Sequence, residues 1–299
     1  MKLTRYHDVE GTTRKSLSER DGRAAADKTV ARVLHRGNPG EPGHFEMSVT
    51  SYAVPKSVVR HRHDTDQFRL SLRGESPWAP GHVTPEGGLL FIPSGTPYGP
   101  YERPVGIELL QVEFEGADGS PFADIDQLAA TREQLSEQGT FENGMFTWVD
   151  RDGARQTQPE FRAVLEAATG RPQATPRTRY SVPIELVPEH FSWMPISSTA
   201  MAREFVVFPE RGTRLWQLAV SGPGPHRVRA VQETLLFVSS GAGRANGEPI
   251  AERDSVRLAA GDDVDIDSDS DSDSRIELFA LDLPRPIENG SPRHAEVQR

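Results

Sequence analysis

Short runs of apolar and β-branched residues, each bounded by Pro or Gly, fill two separate stretches of this chain, and this doubled pattern constrains the fold more than any other feature. In the first stretch the runs cover residues 45–54, 67–72, 89–93 and 106–114; in the second they cover 204–208, 215–220, 234–238, 255–258 and 276–281. Strand-length runs spaced by turn residues predict an antiparallel sandwich or barrel. The two stretches are also related by sequence. Residues 234–241, Thr-Leu-Leu-Phe-Val-Ser-Ser-Gly, align with residues 67–74, Gln-Phe-Arg-Leu-Ser-Leu-Arg-Gly, and Ala259-Ala260-Gly261 aligns with Pro93-Ser94-Gly95. An internal repeat implies one unit built twice, and 299 residues accommodate two units of ordinary size.

The flanking segments have other textures. Residues 1–40 are polar and charged, with one short apolar patch from Val30 to Leu34, and read as an arm able to wrap a partner subunit. Residues 121–180 read as a partly helical connector: Asp124 or Asp126 can cap a helix that Gly139 stops, and Pro159 sits in the first turn of a second helix ending near Gly170. The resulting scheme is an arm (1–40), a β-unit (41–120), the connector (121–180), a second β-unit (181–286) and a tail (287–299). Four Asp-Ser pairs at Asp267–Ser274 read as a solvated hairpin loop, since like charges repel and nothing apolar anchors them.

Composition removes several classes of function. A net charge of -10 disfavours nucleic acid or an anionic membrane as partner. The absence of cysteine removes disulfides, thiolate ligands, iron-sulfur clusters and cysteine nucleophiles. The first residues carry no apolar signal region and no run of eighteen apolar residues occurs, so a soluble cytoplasmic protein is expected.

One constellation carries chemistry. His61 and His63 stand at i and i+2, which on a strand puts both imidazoles on one face. After three residues comes Gln67, and after six more Gly74; further on, Gly87 and five residues precede Pro93-Ser94-Gly95, with Tyr98 two residues beyond. These segments resemble the two signature motifs of the cupin superfamily, His-x-His…Glu…Gly and Gly…Pro-x-Gly…His, at matching spacings. Gln67 replaces the Glu and Tyr98 the third His. The resemblance implies a mainly β protein of two cupin barrels, each a double-stranded β-helix or jelly roll, joined by the partly helical connector. On the register of the repeat, the second barrel has Val228, Ala230, Thr234 and Val264 at the four ligand positions, a set that holds no metal. Such a protein is a bicupin with its site in the N-terminal barrel.

By that resemblance, His61, His63, Gln67 and Tyr98 are the candidate metal ligands. Two imidazole nitrogens, a neutral amide oxygen and a phenolate suit a divalent or trivalent transition metal, iron before copper, manganese, nickel or zinc, better than calcium or magnesium. Each residue also has a plainer reading. The histidines can be hydrogen-bonded or exposed, Gln67 can bridge His63 and the backbone, and Tyr98 can donate its hydroxyl to substrate. Arg69, inward beside Gln67, can clamp an acidic substrate or pair internally with Glu113. Trp78, Phe91 and Tyr101 can line the pocket or pack ordinarily.

Three functions follow as expectations. The first is a metal-dependent oxidoreductase, dioxygenase or isomerase acting on a small organic molecule, with Tyr98, Gln67 and Arg69 handling protons and substrate. The second is a metal-free cupin that binds or isomerises its ligand through Tyr98, His63 and Arg69, and the third is a non-catalytic structural cupin. Exposed barrel edges allow a homodimer.

Overall fold

The computed structural model describes residues 1–14, 29–39, 41–58, 60–116, 122–170, 172, 178–269 and 274–286. The expected tail at 287–299 and the centre of the Asp-Ser tract lie outside these residues. Two seven-stranded antiparallel sheets dominate. The first runs, in spatial order, Ile184–Leu186, Leu89–Ile92, Thr65–Arg73, Glu108–Glu115, Phe45–Tyr52, Thr29–Arg36 and Thr12–Arg14. The second runs Lys2–Thr4, Ser255–Leu258, Thr234–Ser240, Arg275–Asp282, Thr213–Ser221, Ala200–Phe208 and Met194–Pro195. The five inner positions correspond strand for strand, so the repeat seen in the sequence is a repeat of topology. Smaller sheets face each large one. In the second half these are His226–Arg229, Asp263–Ser268, Ala242–Ala245 and Glu248–Ala251; in the first half, the pairs Lys56–Val58 with Tyr101–Arg103 and Ser76–Ala79 with His82–Thr84.

Strand alternation divides the side chains into three layers. Phe68, Leu70, Phe91, Leu110, Val112 and Phe114 project from the first large sheet onto Leu215, Leu235, Phe237, Phe279 and Leu281 of the second, making one dry seam between the barrels. The opposite face of the second sheet, with Trp216, Leu218, Leu236, Val238 and Leu278, closes on Val264 and Ile266 to fill the second barrel with apolar side chains. The opposite face of the first sheet instead carries Gln67, Arg69, Ser71, Gln111 and Glu113. Each buried Leu or Phe contributes about 1.5–3 kcal/mol relative to exposure, so the seam and the second interior supply stability and leave the first interior free to be polar.

The ends of the chain depart from the sequence-based scheme. The described parts of residues 1–40 enter both sheets: Lys2–Thr4 pairs with Ser255–Leu258, and Thr29–Arg36 is an eight-residue strand of the first large sheet. Interspersed Arg32 and His35 hide its apolar alternation, yet Ala31, Leu34 and His35 are all buried. Conversely, Ile184–Leu186, from the segment assigned to the second barrel, pairs with Leu89–Ile92 of the first. Each edge is therefore covered by a strand from the segment leading into the other barrel, which removes an open edge at each place. The connector holds both expected helices, Ile125–Ser136 capped by Asp124 in a capping box and Glu160–Thr169 closed by left-handed Gly170, together with an unforeseen three-stranded sheet. Among the described residues, no helix is long and apolar enough to cross a membrane.

His35 makes stability depend on pH. Burial, reinforced by the charges of Lys2 and Arg257, lowers its pKa from 6.5 to about 4. A group depressed in this way contributes fully above its unfolded value and loses that contribution as pH falls through the folded one, here on the order of 3 kcal/mol between pH 6.5 and 4. We expect His35→Phe to flatten the pH dependence of urea unfolding in that window; an unchanged slope would show that His35 is charged in the fold.

Candidate metal centre in the first barrel

The two motif loops are tied together by backbone. Tyr98 and His61 form an antiparallel bridge, with His61 N–H donating to Tyr98 O (3.0 Å) and Tyr98 N–H to His61 O (2.9 Å). Gly95 N–H donates to His63 O (2.7 Å), Ser94 N–H to Asp66 Oδ1 (2.7 Å) and Ser94 Oγ to Asp64 O (3.0 Å). Gly95 takes a positive φ of 75°, the conformation for which the Pro-x-Gly turn needs glycine. These bonds set the loop carrying both histidines against the turn that presents Tyr98.

The side chains then converge. His61 Nε2 lies 2.8 Å and His63 Nε2 3.0 Å from Tyr98 Oη. Arg69 Nη2 donates to the same hydroxyl at 2.9 Å and to Gln67 Oε1 at 2.9 Å. Gln67 Nε2 donates in turn to Glu113 Oε1. A phenol has one proton and two lone pairs. With Arg69 filling one lone pair and both rings neutral, one imidazole donates its Nε2–H to the other lone pair and the second receives the phenolic proton, which makes the two rings opposite tautomers.

Electrostatics reinforce this arrangement. Burial, then His61 and Arg69, hold His63 well below the usual histidine range, so its ring is neutral and has a lone pair to give. Burial pushes the Tyr98 hydroxyl above its ordinary value, and Tyr101 and Glu113 act in the same sense against the pull of Arg69. Burial also works against the Arg69 cation, but Tyr98, Tyr101, Tyr52 and Glu113 outweigh it and keep the guanidinium charged.

All five residues singled out in the sequence, His61, His63, Gln67, Arg69 and Tyr98, thus meet in one network. Trp78 and Tyr101 pack with Tyr98, Leu90 and Ile92 in the wall of the same barrel, whereas Phe91 faces the seam and stacks on Phe68. Gln67 bridges Arg69 and Glu113, accepting from the one and donating to the other, and the charge of Glu113 is felt at Arg69. Phe161, from the second connector helix, stands edge-on to His63 at 6.1 Å. Glu113's inward face was readable from alternation, but its pairing opposite Gln67 is a long-range register, and the position of Phe161 depends on tertiary packing.

The donor types and two of their separations are compatible with a transition metal. Metal–nitrogen and metal–oxygen bonds of about 2.1 Å at right angles place neighbouring donors about 3 Å apart, the separation at which both Nε2 atoms stand from Tyr98 Oη. Gln67 is engaged at both ends of its amide, by Arg69 and Glu113. Elsewhere among the described residues, Glu46, Asp124 and Asp126 come together, and Arg36 reaches all three carboxylates, at 2.7, 3.4 and 2.6 Å.

No family model and no curated protein sequence matches the chain. Solved structures do. A putative dioxygenase from Nostoc punctiforme is 11% identical, with a TM-score of 0.61 over 95% of this chain and 82% of that one. Oxalate decarboxylase from Bacillus subtilis, an enzyme with Mn(II) centres, is 12% identical, with a TM-score of 0.51 over 95% and 78%. A putative glyoxylate-induced protein from Pseudomonas aeruginosa is 14% identical, with a TM-score of 0.51 over 87% and 83%. At such identities the likeness speaks for the fold alone: the chain has the two-barrel, mainly β fold of a bicupin.

Tyr98→Phe removes the atom that Arg69 and both imidazoles share. We expect a loss of about 1–3 kcal/mol in urea unfolding of the metal-free protein; unchanged stability would mean that the network contributes nothing to the barrel.

Proposed function

We propose that this protein is a metal-dependent cupin enzyme, an oxidoreductase of the dioxygenase type or an isomerase, acting on a small organic molecule in the cytoplasm. The convergence of His61 Nε2 and His63 Nε2 on Tyr98 Oη carries this reading. His61, His63 and Tyr98 would hold the ion, iron first among the transition metals, with the Gln67 carbonyl oxygen beside them as a fourth, weaker donor. The ion would supply Lewis acidity and a template for substrate oxygen atoms.

The chain's own residues do the rest. His61 and His63 are half-buried, His63 is held neutral with a lone pair to give, and in the metal-free site Tyr98 holds a proton at Oη within reach of both imidazoles. Arg69 orients that hydroxyl and presents a fixed positive charge to an acidic substrate group, although its Nε is buried without an acceptor. Trp78 and Tyr101 make the apolar wall, and Phe161 narrows the approach to His63. The dioxygenase and Mn(II)-enzyme neighbours agree with this reading at the level of the fold.

A metal-free reading has one observation in its favour: Arg69 already serves Gln67 and Tyr98 as a built-in cation. There Tyr98 and His63 would be the proton-transfer pair of an isomerase. Metal analysis of protein purified without added metal separates the two. We expect near-stoichiometric transition metal in the wild type, none in the His61→Ala, His63→Ala double variant, and, for ferric or cupric protein, visible tyrosinate absorption that Tyr98→Phe abolishes. Equal metal in wild type and double variant would reject the metal reading.

A further inference from the structure

Glu113 lies directly opposite Gln67 across the paired strands, and Gln111 lies opposite Arg69. Since Leu110, Val112 and Phe114 fill the seam, both polar residues face inward. Glu113 Oε1 accepts two amide N–H groups, one from Gln67 Nε2 and one from Gln111 Nε2 at 2.9 Å. An amide whose nitrogen is turned to a carboxylate must turn its oxygen away. Gln67 Oε1 accordingly accepts from Arg69 Nη2, and the same nitrogen reaches Tyr98 Oη. Reversing the Gln67 amide would set an N–H against the guanidinium and strand a buried donor.

We infer that Glu113 is a positioning residue of the site: it fixes the direction of the Gln67 amide, and through it the aim of Arg69 at Tyr98. Glu113 is also the carboxylate in a network whose cation is Arg69 and whose other members are imidazoles, amides and a phenol. Three hydrogen bonds, through Gln67 and Arg69, separate it from Tyr98, so it acts through its neighbours. Exchange of the pair, with carboxylate at 67 and amide at 113, keeps the charge and still offers Arg69 an acceptor.

Wild type, Glu113→Gln and the Gln67→Glu, Glu113→Gln exchange variant test this directly. The first readout uses metal-free protein labelled with ¹⁵N-histidine, whose ring-nitrogen shifts report tautomer and hydrogen bonding. We expect two opposite, fixed tautomers at His61 and His63 in the wild type, averaged signals in Glu113→Gln and the wild-type pattern in the exchange variant. The second readout is Mn(II) affinity by calorimetry, and it rests on the metal reading above: about tenfold loss or more in Glu113→Gln, as for other outer residues that orient ligands. A Glu113→Gln protein with wild-type imidazole signals overturns the inference, as does an exchange variant that stays averaged or fails to fold. If Glu113→Gln alone fails to fold, the exchange variant decides. A wild type that takes no Mn(II) or other transition metal rejects the metal reading and leaves the imidazole pattern to judge Glu113.

Discussion

The dry seam between the two large sheets is the contact on which the rest of the molecule depends. Phe68 and Leu70 can reach Leu235 and Phe237 only if the Thr65–Arg73 strand keeps its present face to the seam. A slip of one residue would bury Gln67, Arg69 and Ser71 against apolar side chains and turn the phenylalanine and leucine into the barrel. Hydrophobic contact between barrels therefore fixes, through the two-residue period of a strand, which polar side chains the first barrel encloses.

The same arrangement explains how two copies of one topology differ so completely inside. In the second barrel the positions equivalent to His61, His63 and Tyr98 are Val228, Ala230 and Val264, all buried in its apolar core. The remaining one, Thr234, rests its hydroxyl on Asp282 Oδ1 at 2.8 Å. An interior of that kind is a source of stability, while the first encloses a guanidinium, two imidazoles and two amides that each need a partner. Hydrogen bonds within the network supply partners for most of them, and the Glu113–Gln67–Arg69–Tyr98 chain gives those bonds a single direction.

Much of this was legible in the residues. Turn-bounded runs and the repeat at 67–74 and 234–241 gave the two β-units, and the spacing from His61 to Tyr98 gave the meeting of five side chains. Local chemistry also sufficed for the connector helices, whose Asp124 and Gly170 ends follow from capping alone. What depended on distant pairing was not legible. The strand Thr29–Arg36 hid behind its Arg and His residues, the exchanged edge strands join segments far apart in sequence, and the double engagement of Gln67 required knowing which residue lies opposite it. The direction in which the Gln67 amide points follows only from its cross-strand neighbour.

X-ray absorption at the metal edge of protein loaded with Fe(II) or Mn(II) tests the central claim most directly. Two imidazoles in the scattering shell, with an oxygen contribution that changes in Tyr98→Phe, are expected. A shell of oxygen alone, indistinguishable from the hydrated ion, would contradict the assignment of His61, His63 and Tyr98 as the ion's ligands.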